Sequence, residues 1–166
     1  MQKALFGDSS TDAEPIVMSL YAEYYDLIWQ GLKRHEFRRR FLSGTPTTWF
    51  VYLNAPVSRL CAVIDLGPAI VDTPEKVAAI AERTRVGNGA SVLEYVQDLE
   101  QAYAIPILSV REYKGLSADD LRDQLGSWHP PQSYMRLRNP GNLDMLRICE
   151  KLIAEDPLRQ VTVHHP

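Results

Sequence analysis

Residues 15–41, PIVMSLYAEYYDLIWQGLKRHEFRRRF, decide the fold because their hydrophobic periodicity changes twice. Residues 16–20 are short, apolar and partly β-branched, which predicts a strand with Pro15 as its entry residue. Apolar and aromatic side chains then recur at the spacing of one face of an α-helix. Gly31 stands where a left-handed residue ends a helix, and a second strand is expected from about His35.

The predicted helix carries a stripe of large side chains at positions i, i+3, i+4, i+7, i+8 and i+11. These are Tyr21, Tyr24, Tyr25, Ile28, Trp29 and Leu32. A stripe with this period is typical of a helix that packs on a core, and we expect that role for most of it. Tyr21 differs because it lies at the junction between strand and helix.

The second strand is unusually basic. Residues 33–40, KRHEFRRR, carry five permanent positive charges and one glutamate. Strand alternation places Glu36, Arg38 and Arg40 on one face, and the other face carries an arginine as well. Arginine is hard to bury in an ordinary core. At least one face is therefore predicted to open onto solvent, a cleft or a bound anion.

The composition bounds the remaining possibilities. A chain of 166 residues is expected to form one domain, here residues 15–155, between a flexible arm, 1–14, and a C-terminal tail, 156–166. No segment has the length of a membrane span or the apolar core of a signal peptide, so we expect a cytoplasmic protein without a membrane partner. The net charge of −3 argues against binding nucleic acid by bulk charge, but it leaves room for a local basic site.

The two cysteines are predicted to be buried thiols. Cys61 lies in an apolar strand-like run, and Cys149 lies on the apolar side of a late helix. A disulfide is not expected in the cytoplasm. The sequence has no CxxC, HExxH or phosphate-binding glycine loop, so we expect no metal and no cofactor.

The rest of the chain predicts a mixture of strands and helices. Further strands are expected at 48–54, 60–66, 69–71, 105–113 and 132–137, and helices at 74–83, 91–103, 117–125 and 142–154. Short connections in the middle of the chain indicate mostly antiparallel pairing. We therefore predict an α+β fold, a small, partly open, mixed but mostly antiparallel β-barrel with surrounding helices. The end of the chain, VTVHHP, is expected to be loose.

The basic strand contains the motif G-x-K-x-x-E-x-R, formed by Gly31, Lys33, Glu36 and Arg38. With the following WFVYLNAPVSRLCAVIDL (49–66) and the late PPQSYMRL (130–137), it resembles the ASCH family, which has a PUA-like β-barrel. The resemblance covers most of residues 15–137. The two-helix segment, 74–103, and the last helix are less typical of the family. The resemblance implies a cleft at the barrel mouth that binds RNA or nucleotides.

The same resemblance implies an enzymatic alternative. Some similar small proteins are hydrolases of acylated cytidines, which use the lysine of this motif with a hydroxyl and a carboxylate, and others are ribonucleases. Lys33 matches that lysine, whereas Glu36 stands where the amidohydrolases have a threonine. Ser133 is the candidate hydroxyl, provided that the closing strand lies beside the first.

Three hypotheses remain open from the sequence. The first is a binding module for single-stranded RNA, a nucleotide or a nucleoside, whose ligand contacts are Tyr21, Lys33, Glu36, Arg38, Arg40 and Asn54. In it, the cations contact phosphate, Glu36 orients them, Tyr21 stacks on a base and Asn54 reads a base edge. The second is a hydrolase with Lys33, Glu36 and Ser133 as catalytic residues. The third is a protein-interaction module in transcription. The oligomeric state is left open.

Overall fold

The computed structural model describes residues 13–166, so most of the predicted N-terminal arm lies outside the described residues. The strands are β1 (Glu14–Leu20), β2 (His35–Arg38), β3 (Thr47–Leu53), β4 (Arg59–Leu66), β5 (Ile70–Asp72), β6 (Ala102–Ser117), β7 (Tyr134–Arg136) and β8 (Arg159–Thr162). The helices are α1 (Ala22–Trp29), α2 (Pro74–Thr84), α3 (Asn88–Val96), α4 (Ala118–Leu125) and α5 (Leu143–Ile153), and a 3-10 turn (Pro140–Asn142) precedes α5.

The strands form one curled, mixed sheet in the order β2-β6-β4-β3-β1-β7, and β5 and β8 also pair with β6. The β1–β3 pair is parallel and the other pairs are antiparallel. This arrangement confirms the predicted α+β class and the partly open, mostly antiparallel barrel. The closing strand, β7, lies beside β1 as the sequence analysis required.

The central strands are buried on both faces, as the continuous apolar run of β4 predicts. One core cluster contains alternate residues such as Met18 and Trp49, and the opposite cluster contains their neighbours Val17 and Phe50. Helices α4 and α5 cover this second cluster. A third, smaller cluster packs α2 and α3 against β6 and the side chain of Phe37. This last contact places the two-helix segment beside β2.

Several local predictions are confirmed. Gly31 has a φ of 77° just after α1, Thr73 accepts the backbone N–H of Lys76 at the start of α2, and Ser117 and Asp120 form a capping box on α4. Both cysteines are free and buried, and burial raises the pKa of the Cys61 thiol to about 11. No helix within residues 13–166 combines the length and the apolar character needed to cross a membrane.

The chain end differs from its prediction. Instead of a loose tail, β8 pairs with β6, with Val161 opposite Val110, and the Nε2 atom of His165 lies 2.8 Å from the carbonyl oxygen of Ile107. The long strand β6 would otherwise present unpaired backbone groups here, and the tail satisfies them. The second predicted helix also ends early, at Val96, because Tyr103 belongs to β6.

Candidate ligand-binding cleft

A cleft of about 510 Å³ lies where the end of β1, helix α1 and strand β2 meet the α2–α3 pair. The motif residues Lys33, Glu36 and Arg38 line it. A cavity of this size is typical of small-molecule sites in proteins. The motif therefore lies in a concavity rather than on a convex surface.

Glu36 is the charged centre of the cleft. The residue is only 5% exposed, and its two carboxylate oxygens hold different cations. Oε1 lies 3.1 Å from Nζ of Lys33, and Oε2 lies 2.8 Å from Nη2 of Arg38. A buried carboxylate is tolerated when such partners compensate for the lost hydration. Glu36 therefore fixes the positions of both cations.

Lys33 is not a solvated surface lysine. Its side chain is 13% exposed, and Nζ lies 5.9 Å from the ring centroid of Tyr24 and 5.5 Å from that of Phe37. These distances are within the range of cation–π contacts. An ammonium has three N–H donors, and the ion pair with Glu36 occupies one direction. The ion pair with Glu36 and the contacts with the two rings restrict the position of Nζ, and two of its N–H donors are left for other partners.

Two tyrosines form an aromatic wall. Tyr21 is 58% exposed and Tyr24 is 42% exposed, and their rings meet edge to face with centroids 6.5 Å apart. The expected core role of the stripe therefore holds for Tyr25 and Ile28, which are buried, but not for Tyr24. Tyrosine rings exposed in a cleft offer faces on which a planar ligand can stack.

The α2–α3 pair forms the opposite wall. The turn between these helices is closed by Glu82, whose carboxylate accepts the backbone N–H groups of Gly87 and Gly89 at 3.0 and 2.9 Å. These hydrogen bonds lower the pKa of Glu82. The turn presents Arg85, which donates through Nη2 to Oδ1 of Asn88 at 3.1 Å.

The far end of this wall is tied to the basic strand. Arg39 donates to both carboxylate oxygens of Asp98 at 2.8 Å and to the carbonyl oxygen of Tyr95 at 2.6 Å. These hydrogen bonds hold the pKa of Asp98 at about 2, well below its usual value. The two-helix segment is thus fixed against β2 both by Arg39 and by the packing of Phe37.

This geometry has counterparts among known structures. Crystal structures of a serine-to-alanine and a tyrosine-to-phenylalanine variant of ZmASCH, an ASCH protein from Zymomonas mobilis, match with TM-scores of 0.69 at 22% identity. The matches cover 86% and 85% of this chain and 96% and 97% of those chains. The structure of ASCH from the same organism matches with a TM-score of 0.64 at 22% identity over 81% of this chain and 94% of that one. The chain has the ASCH-domain fold.

No family model matches this chain, and no curated protein matches it. The evidence for the ASCH-domain fold is therefore structural, and it extends to the architecture and the topology of the chain.

The cleft contains most of the predicted site residues. Those that line it are Tyr21, Lys33, Glu36, Arg38 and Asn54. Arg40 is exposed outside the cleft, because β2 ends at Arg38 and the bend that follows breaks the strand alternation. Ser133 is also exposed outside it, and its neighbour Gln132 lines the cleft instead.

Sequence reasoning missed the residues that come from distant segments. They are Arg85, Asn88, Ser91, Tyr95 and Gln132. Two nearer residues that line the cleft, Ser19 on β1 and Tyr24 on α1, were missed as well. The sequence did contain one signal for the far wall, the segment 85–89, RVGNG, in which an arginine and an asparagine flank a tight turn between two helices.

The cleft is positively charged although the chain is acidic. Its lining contains three permanent cations, Lys33, Arg38 and Arg85, against one acid, Glu36, which leaves an excess of two positive charges. The whole chain carries a formal charge of −3. Within residues 13–166, no group of three histidine, cysteine, aspartate or glutamate residues is placed to hold a metal ion. The cleft is thus suited to an anionic organic ligand.

A second and more open cavity, of about 530 Å³, lies on the other side of α1. Its acidic residue, Glu112, accepts a hydrogen bond from the hydroxyl of Tyr25 at 2.7 Å and pairs with Arg159 of β8 at 3.0 Å. Burial and this hydrogen bond raise the pKa of Tyr25. Because Glu112 already has its partners, the contacts here hold α1 and the chain end onto the barrel.

Proposed function

We propose that this ASCH domain binds one nucleotide unit, free or within single-stranded RNA, in the cleft between α1, β2 and the α2–α3 pair. The observation that carries the proposal is the pair of cations, Lys33 and Arg38, fixed by the buried carboxylate of Glu36 in a cavity that exposed tyrosines also line. This combination supplies the two interactions that a nucleotide needs.

The cations are suited to phosphate. A guanidinium offers planar paired donors, and an ammonium offers a compact charge. Both groups make stronger hydrogen bonds with charged oxygens than with neutral ones. Because Glu36 orients Lys33 and Arg38 before a ligand arrives, little side-chain freedom is lost on binding. The acidic body of the chain favours one nucleotide or a short segment over a long polyanion.

The tyrosines and the amide are suited to a base. Tyr21 and Tyr24 offer exposed rings at the cleft, and stacking on aromatic rings is the usual way in which unpaired bases are bound. Asn54 lines the same cleft and carries both a donor and an acceptor for a base edge. The proposal assumes the cytoplasmic setting that the sequence predicts.

The hydrolase alternative has less support from the geometry. Activation of a hydroxyl or of water requires a base within hydrogen-bond reach of the group that it deprotonates. Ser133 is exposed outside the cleft, and Nζ of Lys33 is engaged by Glu36. We therefore propose binding as the primary activity and treat turnover as an outcome of the test.

The experiment is a fluorescence-anisotropy titration of the purified protein against short labelled single-stranded RNA, with unlabelled mononucleotides as competitors. We expect saturable binding that weakens with salt, since phosphate contacts release counterions. The incubated mixtures are then examined by mass spectrometry. Intact ligand supports a binding module, cleaved RNA or a converted nucleoside supports the hydrolase, and absence of binding to every RNA and nucleotide contradicts the proposal.

A further inference from the structure

Two arginines lie on different walls of the cleft. Arg38 comes from β2 and Arg85 from the end of α2, and the Nε atom of each is buried without a hydrogen-bond partner among residues 13–166. Buried donors in proteins are nearly always paired, so an orphaned one requires an explanation. The two Nε atoms themselves have almost no accessible surface. Both side chains nevertheless line the same cavity, so the positive charge of each guanidinium acts on an anion bound there.

Hydrogen bonds and packing hold Arg85 in its position. Asn88 holds its Nη2 at 3.1 Å, and the carboxylate of Glu82 closes the turn by accepting the N–H of Gly87 and of Gly89. The packing of α2 and α3 against β6 fixes the whole pair beside the barrel. Arg85 is therefore presented to the cleft by a supported turn, and the sequence motif on β2 does not include it.

The charge of the cleft indicates which kind of phosphate fits. Three cations and one carboxylate leave an excess of two positive charges. A phosphomonoester carries roughly 1.5 to 2 negative charges near neutral pH. An internal phosphodiester carries one, and a nucleoside carries none. The terminal phosphate of a nucleotide is thus the best electrostatic match.

We propose that Arg38 and Arg85 bind a terminal phosphomonoester from two sides, with Lys33 as the third cation. The inference rests on the proposed nucleotide binding and names its ligand class, a nucleotide with a terminal phosphate, free or at the end of an RNA strand. In this account the α2–α3 pair completes the binding site, and Arg85 is a ligand-binding residue outside the motif.

The test is isothermal titration calorimetry with three classes of probe. These are the four ribonucleoside 5′-monophosphates, the matching nucleosides, and dinucleoside monophosphates, whose phosphate is an internal diester. We expect the unaltered protein to bind at least one monophosphate roughly tenfold or more tighter than its nucleoside and its dinucleotide. A short RNA is then titrated with and without a 5′-phosphate. Tighter binding of the phosphorylated RNA indicates that the site accepts strand ends, and equal binding of the two RNAs indicates that it accepts free nucleotides.

The decisive variant is Arg85→Gln, and its matched control is Arg83→Gln, which removes the same charge from an exposed position one half-turn earlier on α2. We expect Arg85→Gln to lower monophosphate affinity roughly tenfold while nucleoside affinity is retained. Arg83→Gln is expected to leave both affinities unchanged. Circular dichroism confirms that each variant is folded.

The outcomes separate this inference from the proposed function. If Arg85→Gln and Arg83→Gln bind monophosphates as the unaltered protein does, the role of Arg85 is overturned while nucleotide binding stands. If dinucleotides bind as tightly as monophosphates, the preference for a terminal phosphate is overturned. If no nucleotide and no RNA binds the unaltered protein, the inference and the proposed function are overturned together.

Discussion

The carboxylate of Glu36 and the guanidinium of Arg38 lie 2.8 Å apart, two residues from one another on β2, with the Glu36 side chain only 7% exposed. The next arginine along the chain, Arg39, makes a pair of the same length with Asp98, but these side chains are 39% and 63% exposed. The two pairs have the same shortest distance but different solvation, and Arg39 contacts both carboxylate oxygens of Asp98 whereas Arg38 contacts one oxygen of Glu36. They therefore provide a direct comparison of a buried and an exposed ion pair within one protein.

We expect Glu36→Gln to destabilise the protein by about 1–3 kcal/mol, because it leaves the charges of Lys33 and Arg38 close together without their carboxylate. Asp98→Asn is the matched control and is expected to cause a smaller loss, since exposed pairs are weak. Urea unfolding at neutral pH gives both values. An equal loss in the two variants would show that Glu36 has no special structural role.

Substitution of Tyr21 tests the stacking part of the proposed function. The ring is 58% exposed at the cleft, so its loss removes little from the core. We expect Tyr21→Leu to weaken nucleotide binding by about 1–3 kcal/mol, or roughly 5- to 150-fold, because an aliphatic side chain cannot stack on a base. Tyr21→Phe keeps the ring and is the matched control. Similar affinities for the Phe and Leu variants would rule out stacking at this position.

The protein should lose stability between neutral and mildly acidic pH through His35. Burial, together with the nearby positive charges of His165 and Lys33, lowers the pKa of His35 to about 4 in the folded state. In the unfolded chain the imidazole titrates near its ordinary value of about 6.5. The unfolded state therefore binds more protons between these values, and stability falls as the pH drops through that window.

From this linkage we expect His35 to account for a loss of about 1 kcal/mol between pH 7.5 and pH 5.5. Urea unfolding at the two pH values measures the loss, and His35→Gln should reduce it by that amount. His164→Gln alters an exposed histidine of the same chain and should leave the pH dependence unchanged. A pH dependence that survives in His35→Gln would assign the effect to other groups.

Gly115 tests the register of the central strands. It has a φ of 70°, and a Cβ there would lie 2.0 Å from the carbonyl oxygen of Leu60, at the irregular pairing of β4 with β6. We expect Gly115→Ala to destabilise the fold by about 2–5 kcal/mol through strain and overpacking. The control is Gly141→Ala, which has open space around the added methyl and should stay within about 0.5 kcal/mol. Equal thermal stability of the two variants would contradict the described register.

The sequence predicted those features that depend on neighbouring residues. The helix stop at Gly31, the capping box at Ser117 and the apolar run of β4 are local patterns with direct physical causes. The motif residues Lys33, Glu36 and Arg38 lie in one cleft, as the resemblance implies, and their role there stays a prediction. The fold class followed from these elements because the connections are short and the resemblance supplied the barrel.

The sequence did not predict features that depend on distant packing. Arg85 reaches the cleft because α2 and α3 pack on β6, and no pattern near Arg85 specifies that contact. Arg40 does not share the face of Glu36 and Arg38, because β2 ends at Arg38 and the alternation of side chains does not continue to Arg40. The tail was expected to be loose because its pairing partner, β6, precedes it by about fifty residues, so the pairing is not visible locally.

The most direct test of the account compares Arg38→Gln with Arg40→Gln in a salt-dependent titration of single-stranded RNA and mononucleotides. Both variants remove one arginine charge from the same segment, but only Arg38 of the two lines the cleft. We predict that Arg38→Gln weakens binding at least about tenfold and reduces the salt dependence by about one unit of slope, whereas Arg40→Gln binds nearly as the unaltered protein does. Equal weakening in both variants would show that binding follows general charge and not the cleft, which would contradict the account.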